Sequence, residues 1–331
     1  MVELILVIII IALALIFDFG NGFNDAANSV STIVATRVLS LRNAVILAAF
    51  SNFIAAFVFG VAVATTIGKG IIDPSVVTLW IIFSGLIGAI VWVYLTTFLG
   101  LPISASHALI GGYLGAGLAA VGISGVLWSG VLKVALFIVI APLVGLVVAY
   151  LLFVVVLLFV YKTKMSKIDK YFKKLQLISV FVYSLSHGTN DAQKTMGIIA
   201  ITLFTAGLLG TTFHVPFWVI IASHSTIALG TLAGGKKVVK TMGMHITKLK
   251  PIHGFCAETA GAGTIIACSL LGIPVSTTHV ISGAIIGVGT TKRFSAVRWI
   301  VARKIAWAWM LTIPVSASIG ALAYYIVSFF I

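Results

Sequence analysis

Residues 99–118 read LGLPISASHALIGGYLGAGL, and residues 271–290 read LGIPVSTTHVISGAIIGVGT. The two stretches align without a gap and are identical at eight of 20 positions. The shared residues include Pro102, Ser104 and His107 of the first copy. The same segment therefore occurs twice, which indicates an internal duplication.

A second duplicated motif lies earlier in each half of the chain. GNGFNDAANS at 20–29 aligns with SHGTNDAQKT at 186–195, and both copies contain Gly, Asn, Asp and Ala at matching positions. Asp25 and Asp191 are therefore repeat counterparts.

The two copies of this second motif also differ. His187 stands opposite Asn21, and Lys194 stands opposite Asn28. A site built from both copies cannot be fully symmetric.

The composition assigns the chain to a membrane. Of 331 residues, 61% are hydrophobic and 8% are charged, and the mean hydropathy is +1.22. Soluble domains carry about 25% charged residues, so soluble fold classes are excluded.

The excess of positive charge indicates orientation. Lys and Arg number 21 against seven Asp and Glu, and 18 of the 21 fall in four groups between apolar runs. The intervening breaks are nearly free of them, so the positive-inside rule places the charged loops in the cytoplasm and gives no reason to expect a nucleic-acid partner. The groups are Arg37 and Arg42; Lys162, Lys164, Lys167, Lys170, Lys173 and Lys174; Lys236, Lys237, Lys240, Lys248 and Lys250; and Lys292, Arg293, Arg298, Arg303 and Lys304.

The apolar runs predict an all-α polytopic membrane protein with ten crossings. Five crossings in each half invert the second half relative to the first, which is the inverted-repeat architecture of many secondary transporters, and place both termini outside. We predict a first repeat at 1–161, a basic cytoplasmic linker at 162–175 and a second repeat at 176–331. The predicted crossings are 2–36, 43–64, 76–98, 99–118, 127–161, 176–204, 217–235, 252–270, 271–290 and 299–331.

The two Asn-Asp pairs at 24–25 and 190–191, called the ND motifs, indicate a cation site. A charged carboxylate inside a bilayer is costly unless it is paired or hydrated, and Asp25 and Asp191 occupy equivalent repeat positions. The glycines beside them predict helix breaks near Gly20 and Gly188, which would free backbone carbonyls. Carboxylate, amide and carbonyl oxygens suit alkali or alkaline-earth cations.

The duplicated proline motifs indicate an anion site. Proline suits the first turn of a helix, so the hydroxyl residues after Pro102 and Pro274 lie at helix N-termini, where free N–H groups bind anions. We expect two hairpin tips, meeting at the membrane midplane, to surround a tetrahedral oxyanion.

Electrostatics links the two sites. Two carboxylates and a dianionic phosphate repel one another by about 4 kcal/mol per charge pair at 4 Å and an effective dielectric of 20, and Lys194 offsets only one charge. Anion binding should therefore require cations on the Asp residues, which is cotransport.

Other polar residues allow more than one interpretation. Glu258, within HGFCAETAGAG, is either a further cation ligand or a structural hydrogen-bonding group. Asp18 is expected near the outer surface and solvated. His107 and His279 either cap or pack their helices or transfer protons.

With GFNDAANS, HGTNDAQKT, LGLPISASH and LGIPVSTTH in the expected order, the chain resembles the inorganic phosphate transporter (PiT) family over nearly its whole length. The resemblance implies a symporter that takes phosphate inward with sodium or, in many bacteria, with protons and metal-phosphate complexes; a minority carry sulfate. It also implies a homodimer, a plasma (inner) membrane location, and no cofactor besides the cotransported sodium.

The resemblance implies a shared phosphate and sodium site at the matching positions. Ala105 stands opposite Thr277, so only its backbone N–H contributes. Glu258 joins the sodium set on the argument given above. The phosphate ligands are then Asn28, Ser104, Ala105, Ser106, Lys194, Thr195, Ser276, Thr277 and Thr278, and the sodium ligands Asn24, Asp25, Asn190, Asp191, Gln193 and Glu258.

Two other functional classes compete with a carrier. A channel is disfavoured because paired acids that need countercharge suit binding before movement. An intramembrane enzyme is disfavoured because the sequence contains neither a DDxxD-type metal cluster nor a catalytic triad, and we predict no catalytic residues.

Overall fold

The computed structural model describes residues 2–234, 238–239 and 246–330, and Lys236, Lys237 and Lys240 of the third basic group lie outside them. Within these ranges the secondary structure is helical apart from one isolated β-bridge. The α-helices are α1 Val2–Ala35, α2 Leu41–Ile54, α3 Ala62–Lys69, α4 Leu79–Leu99, α5 Ala105–Val121, α6 Trp128–Val160, α7 Met165–Thr205, α8 Phe217–Ala233, α9 Pro251–Leu270, α10 Thr277–Thr290 and α11 Trp299–Ser328.

The predicted breaks near Gly20 and Gly188 are wrong, because α1 and α7 run unbroken through both ND motifs. The glycines serve close helix packing instead. A Cβ on Gly20 would lie 2.6 Å from the ring of Tyr94, and a Cβ on Gly188 would lie 2.8 Å from the Cα of Asn52.

A break does occur between α2 and α3, which are bent by 82° relative to each other. A short 3₁₀ turn, Ala55–Phe57, follows α2 before the bend. The broken helix of the first half is therefore the one after the ND helix.

Length and composition identify four helices in the described ranges as able to cross a membrane alone, and five when the bent pair counts as one crossing. The four are Glu3–Ala35, Leu79–Leu99, Trp128–Val160 and Trp299–Ser328. The total of ten crossings stays a prediction, since α5 and α8 have 17 residues each and α10 has 14.

The two long apolar runs are single helices, α6 of 33 residues and α11 of 30 residues. Pro142 and Pro314 lie inside them without ending them. At 1.5 Å per residue each helix is longer than a hydrocarbon core of about 30 Å, a mismatch that tilting, kinking or local thickening of the bilayer accommodates. Of the predicted linker, residues from Met165 onward form the start of α7.

The two helices that begin at the tips, α5 and α10, are called the tip helices, and each packs against a long helix of the other half. Helix α5 of the first half packs against α11 of the second, and α10 of the second packs against α6 of the first. A Cβ on Gly115 would lie 2.0 Å from the carbonyl oxygen of Ala317, and a Cβ on Gly287 would lie 2.2 Å from that of Leu146. Glycines at matching repeat positions therefore allow both contacts.

The N-termini of α5 and α10 meet in the interior. Ser104 and Ser276 are their N-caps, and each hydroxyl accepts a hydrogen bond from the backbone N–H three residues later. The rings of His107 and His279 are in edge-to-face contact with centroids 4.7 Å apart. This contact agrees with the packing interpretation of the two histidines.

Two apolar clusters enclose the polar parts of α1 and α7. Along α1 the first cluster extends to Phe17 and the second begins at Ala27. Along α7 the order is reversed, with Tyr183 in the second cluster and Ala192 in the first. The two ND helices therefore run in opposite directions between the clusters, which agrees with the predicted inversion.

Candidate functional site

Asp25 on α1 and Asp191 on α7 come together in the buried interior, with relative exposures of 2% and 0%. The Thr277 hydroxyl, at the start of α10, lies 3.3 Å from Asp25 Oδ2 and 3.0 Å from Asp191 Oδ2. Both ND motifs and the second tip therefore share one hydroxyl.

His187 lies against both carboxylates. Its Nε2 is 3.1 Å from Asp191 Oδ2 and 3.7 Å from Asp25 Oδ2. Its Nδ1 is 3.1 Å from Asn52 Oδ1, and the Asn52 amide group donates to Thr231 Oγ1 at 2.9 Å. Oxygen atoms therefore face both ring nitrogens, with Asn52 Oδ1 at Nδ1 and the two carboxylates at Nε2.

Lys194 is almost wholly buried, with 1% exposure, and joins its own helix α7 to α5 and to the segment before α10. Its ammonium donates to the carboxylate of Asp191, to the hydroxyl of Ser106 at the first tip, and to the backbone oxygen of Val275 before the second tip. The last contact is 2.8 Å. All three ammonium protons therefore have protein acceptors.

Thr278 makes the corresponding contacts in the other half. Its hydroxyl lies 3.3 Å from Asp25 Oδ1 and 3.1 Å from the carbonyl oxygen of Ile103, and it accepts a hydrogen bond from the Asn28 amide at 2.8 Å. Asn28, Asp25 and the two tips are thereby held together.

Asn24 and Asn190 have equivalent surroundings. The Asn24 amide donates to Thr97 Oγ1 at 2.6 Å, and the Asn190 amide donates to Ser269 Oγ at 2.9 Å. The Oδ1 atoms of both asparagines are buried and have no hydrogen-bond partner among the described residues. These oxygens are available as cation ligands.

Gln193 and Glu258, two of the predicted sodium ligands, use their side-chain oxygens in other contacts. Gln193 Oε1 accepts the backbone N–H groups of Val63 at 2.8 Å and Ala64 at 3.3 Å, at the beginning of α3.

Three side chains donate hydrogen bonds to the Glu258 carboxylate. They are Thr32 Oγ1 at 2.5 Å, Gln176 Nε2 at 2.9 Å and Ser179 Oγ at 2.5 Å. This arrangement favours the structural interpretation of Glu258 over the cation-ligand interpretation.

The predicted phosphate ligands at the tips divide into two groups. The hydroxyls of Ser104 and Ser276 are used as N-caps. The first-turn residues Ala105, Ser106 and Thr277 have backbone N–H groups without an intrahelical acceptor, as at any helix N-terminus. An anion would meet donors there from both repeats.

Asp18 is not near a solvated surface, and that expectation is wrong. Its exposure is 0%, and both carboxylate oxygens are buried without a hydrogen-bond partner among the described residues. A signal in the sequence does exist, since Asp18 precedes Asp25 by seven residues and positions i and i+7 share a helix face. This relation holds only in a continuous helix, so the expectation of a break near Gly20 excluded it.

The arrangement can bind a cation and an anion side by side. One ligand atom from each of Asp25, His187 and Asp191 lies within 4.8 Å of the others, a spacing that could hold a metal ion. The helix N-termini beside these residues supply anion donors.

Comparison with known proteins identifies the family. The model of the phosphate transporter family matches residues 21–168 and 161–320. A protein from Rhizobium meliloti named as a low-affinity inorganic phosphate transporter is 57% identical over 96% of this chain and 95% of its own length. A Bacillus subtilis protein of the same name is 41% identical over 98% of both chains.

A solved structure named the sodium-dependent phosphate transporter superposes with a TM-score of 0.90. It is 29% identical and covers 98% of this chain and 100% of that one. The fold, the two duplicated motifs and the sequence matches over nearly the full length lead to one conclusion: the chain is a membrane-embedded member of the phosphate transporter family and not an enzyme.

Proposed function

We propose that this protein imports inorganic phosphate together with sodium ions by alternating access. The observation that carries the proposal is the contact of Asp25 and Asp191 with one hydroxyl, that of Thr277, at the start of a helix. A contact between two proposed cation ligands and a proposed anion ligand supports coupling of the two substrates.

Charge explains why the two substrates travel together. Like charges at 4 Å repel by about 4 kcal/mol at an effective dielectric of 20, and both carboxylates are buried. A sodium ion on the carboxylates removes this repulsion, so phosphate affinity rises when sodium is bound. By linkage, phosphate raises sodium affinity equally.

The proposed phosphate ligands come from both tips and from both ND helices. Hydroxyl and backbone N–H donors from the two repeats would surround the anion, which suits a tetrahedral oxyanion. The ligands are Asn28, Ser104, Ala105, Ser106, Lys194, Thr195, Ser276, Thr277 and Thr278. Sodium would use the oxygens of Asn24, Asp25, Asn190 and Asp191.

His187 favours a second candidate, a proton-coupled or metal-phosphate symporter of the same fold. Imidazole nitrogen is a ligand for transition-metal ions and a poor one for sodium, and His187 Nε2 faces both carboxylates. Sulfate is the alternative anion, since it offers the same tetrahedral oxygens.

The proposed setting is the inner membrane, with the basic loops in the cytoplasm and both termini outside. The lipid-facing surface includes one side of α6, where Leu132, Leu136, Leu143, Leu151 and Leu158 are exposed. A homodimer is proposed from the family resemblance.

Uptake of labelled phosphate into proteoliposomes tests the function. A sodium gradient should drive accumulation without a proton gradient, and excess sulfate should compete poorly. Accumulation driven by protons alone would replace sodium with the second candidate. Open-pore currents in a planar bilayer would contradict a carrier.

A further inference from the structure

Lys194 breaks the symmetry of the two ND motifs. Its repeat counterpart is Asn28, so one motif contributes a neutral amide where the other contributes a full positive charge. Both side chains are buried, with exposures of 1%. A buried lysine is costly unless its charge is used, so the difference calls for a role.

The ammonium of Lys194 is surrounded by oxygen atoms. The three acceptors are a carboxylate of Asp191, a hydroxyl of Ser106 and the backbone carbonyl of Val275. Carboxylate, hydroxyl and carbonyl oxygens are also the ligands that hard metal cations take. The ammonium therefore occupies a position with the ligands of a cation site.

The three acceptors of Lys194 are called the Asp191 set. Their repeat counterparts, called the Asp25 set, are again a carboxylate, a hydroxyl and a backbone carbonyl. Asp25 corresponds to Asp191, Thr278 to Ser106, and Ile103 to Val275. The Thr278 hydroxyl lies 3.3 Å from Asp25 Oδ1 and 3.1 Å from the Ile103 carbonyl oxygen. Asn28 reaches this set with an uncharged amide, 2.8 Å from Thr278.

We infer that Lys194 is a tethered substitute for one cotransported cation, so that a single mobile cation, bound at the Asp25 set, accompanies each phosphate. The Asp191 set keeps its countercharge throughout the cycle. The Asp25 set has no tethered ammonium and shares His187 with Asp191, at 3.7 Å from Asp25 and 3.1 Å from Asp191. Its cation therefore comes from solution. The inference rests on the proposed cation-coupled transport and specifies its stoichiometry.

The substitution Lys194→Asn tests the inference because it copies the residue of the other repeat. Removing the ammonium should open the Asp191 set to a second sodium ion. The ratio of ²²Na to ³²P entering proteoliposomes should be about one for the wild-type protein and about two for Lys194→Asn. The dependence of uptake on sodium concentration should become sigmoidal in the variant.

Lys133→Asn is the matched control, since Lys133 is exposed on α6. It removes the same charge and should leave the ratio at about one. A wild-type ratio of two overturns the inference whether or not the Lys194 variant folds. A folded Lys194→Asn protein that keeps a ratio of one also overturns it.

Failure of sodium coupling itself gives a different result. If wild-type uptake carries no sodium, the proposed function fails in its choice of cation. Sodium-dependent uptake acquired by Lys194→Asn would then still support the inference, and continued sodium independence of a folded Lys194→Asn protein would overturn it.

Discussion

Thr277 is the residue at which the two carboxylates meet. Its repeat counterpart is Ala105, which has no hydroxyl, so only the second tip provides this contact. The first tip reaches the same region through Ser106, which accepts from Lys194. The asymmetry of the ND motifs is therefore matched by an asymmetry of the tips.

We predict that Thr277→Val weakens sodium-driven phosphate uptake. The change keeps the side-chain volume and removes one or two hydrogen bonds, each of about 1 kcal/mol. The sodium concentration for half-maximal uptake should rise by a factor of about 5 to 30.

Thr312→Val is the control for this substitution, because the Thr312 hydroxyl donates only to Ala308 of its own helix, at 2.7 Å. Its uptake curve should match that of the wild type. An unchanged sodium dependence in Thr277→Val would exclude Thr277 from the site.

The two aspartates should differ in their effect on stability. Asp25→Asn and Asp191→Asn are each predicted to abolish sodium-driven uptake. Only Asp191→Asn leaves a buried ammonium without its carboxylate, and breaking such a pair costs about 3 to 5 kcal/mol. Thermal unfolding in detergent, followed by tryptophan fluorescence, should show a lower midpoint for Asp191→Asn than for Asp25→Asn.

The double substitution Asp191→Asn with Lys194→Met should recover most of the lost stability, since it removes the unpaired charge. Equal midpoints for the two single variants would show that the Lys194 ammonium does not depend on Asp191.

Most of this site can be predicted from the sequence, because the duplicated ND and tip motifs name its centre. The sequence indicates His187 only as a mismatch between the repeats. Its position between the carboxylates depends on Asn52 of α2, which is far away in the sequence. Gln193 and Glu258 carry the right chemistry for ligands, but tertiary contacts with α3 and with Thr32 use it elsewhere. Spacing along one helix does not reveal such partners.

At the level of the elements, glycine positions decide which helices touch. The sequence places glycines at matching positions of α5 and α10, but it does not indicate that each helix packs on a long helix of the other half. Glycine near an ND motif is equally compatible with a helix break and with close packing, and the partner surface decides between them.

We predict that Gly287→Ala destabilises the protein and that Gly263→Ala does not. A Cβ on Gly287 would lie 2.2 Å from the carbonyl oxygen of Leu146, whereas a Cβ on Gly263 meets nothing within 4 Å. Overpacking costs about 1 to 3 kcal/mol, while alanine in an open helical position gains up to about 1 kcal/mol over glycine.

The unfolding midpoint in detergent should therefore fall for Gly287→Ala and stay level or rise for Gly263→Ala. The reverse order would mean that α10 and α6 are not in contact in the protein.

For the whole molecule, the charge distribution predicts orientation. Ser124 lies in an exposed break without nearby cations, and Lys170 belongs to the central basic group and is also exposed. The positive-inside rule places Ser124 outside and Lys170 in the cytoplasm.

Single cysteines at these two positions test the orientation, in a background with Cys256 and Cys268 replaced. A membrane-impermeant maleimide should label Ser124→Cys in intact cells and Lys170→Cys only after permeabilisation. Labelling of Lys170→Cys in intact cells would reverse the predicted topology.

The exchange of tip helices between the halves has a consequence for biosynthesis. Gly115 packs against Ala317, which follows it in the second half of the sequence. During translation α5 therefore enters the membrane long before α11 leaves the ribosome. Until then its glycine-rich face contacts lipids or other helices. Truncation after the first half should leave α5 without its partner and direct the nascent protein to quality-control proteolysis.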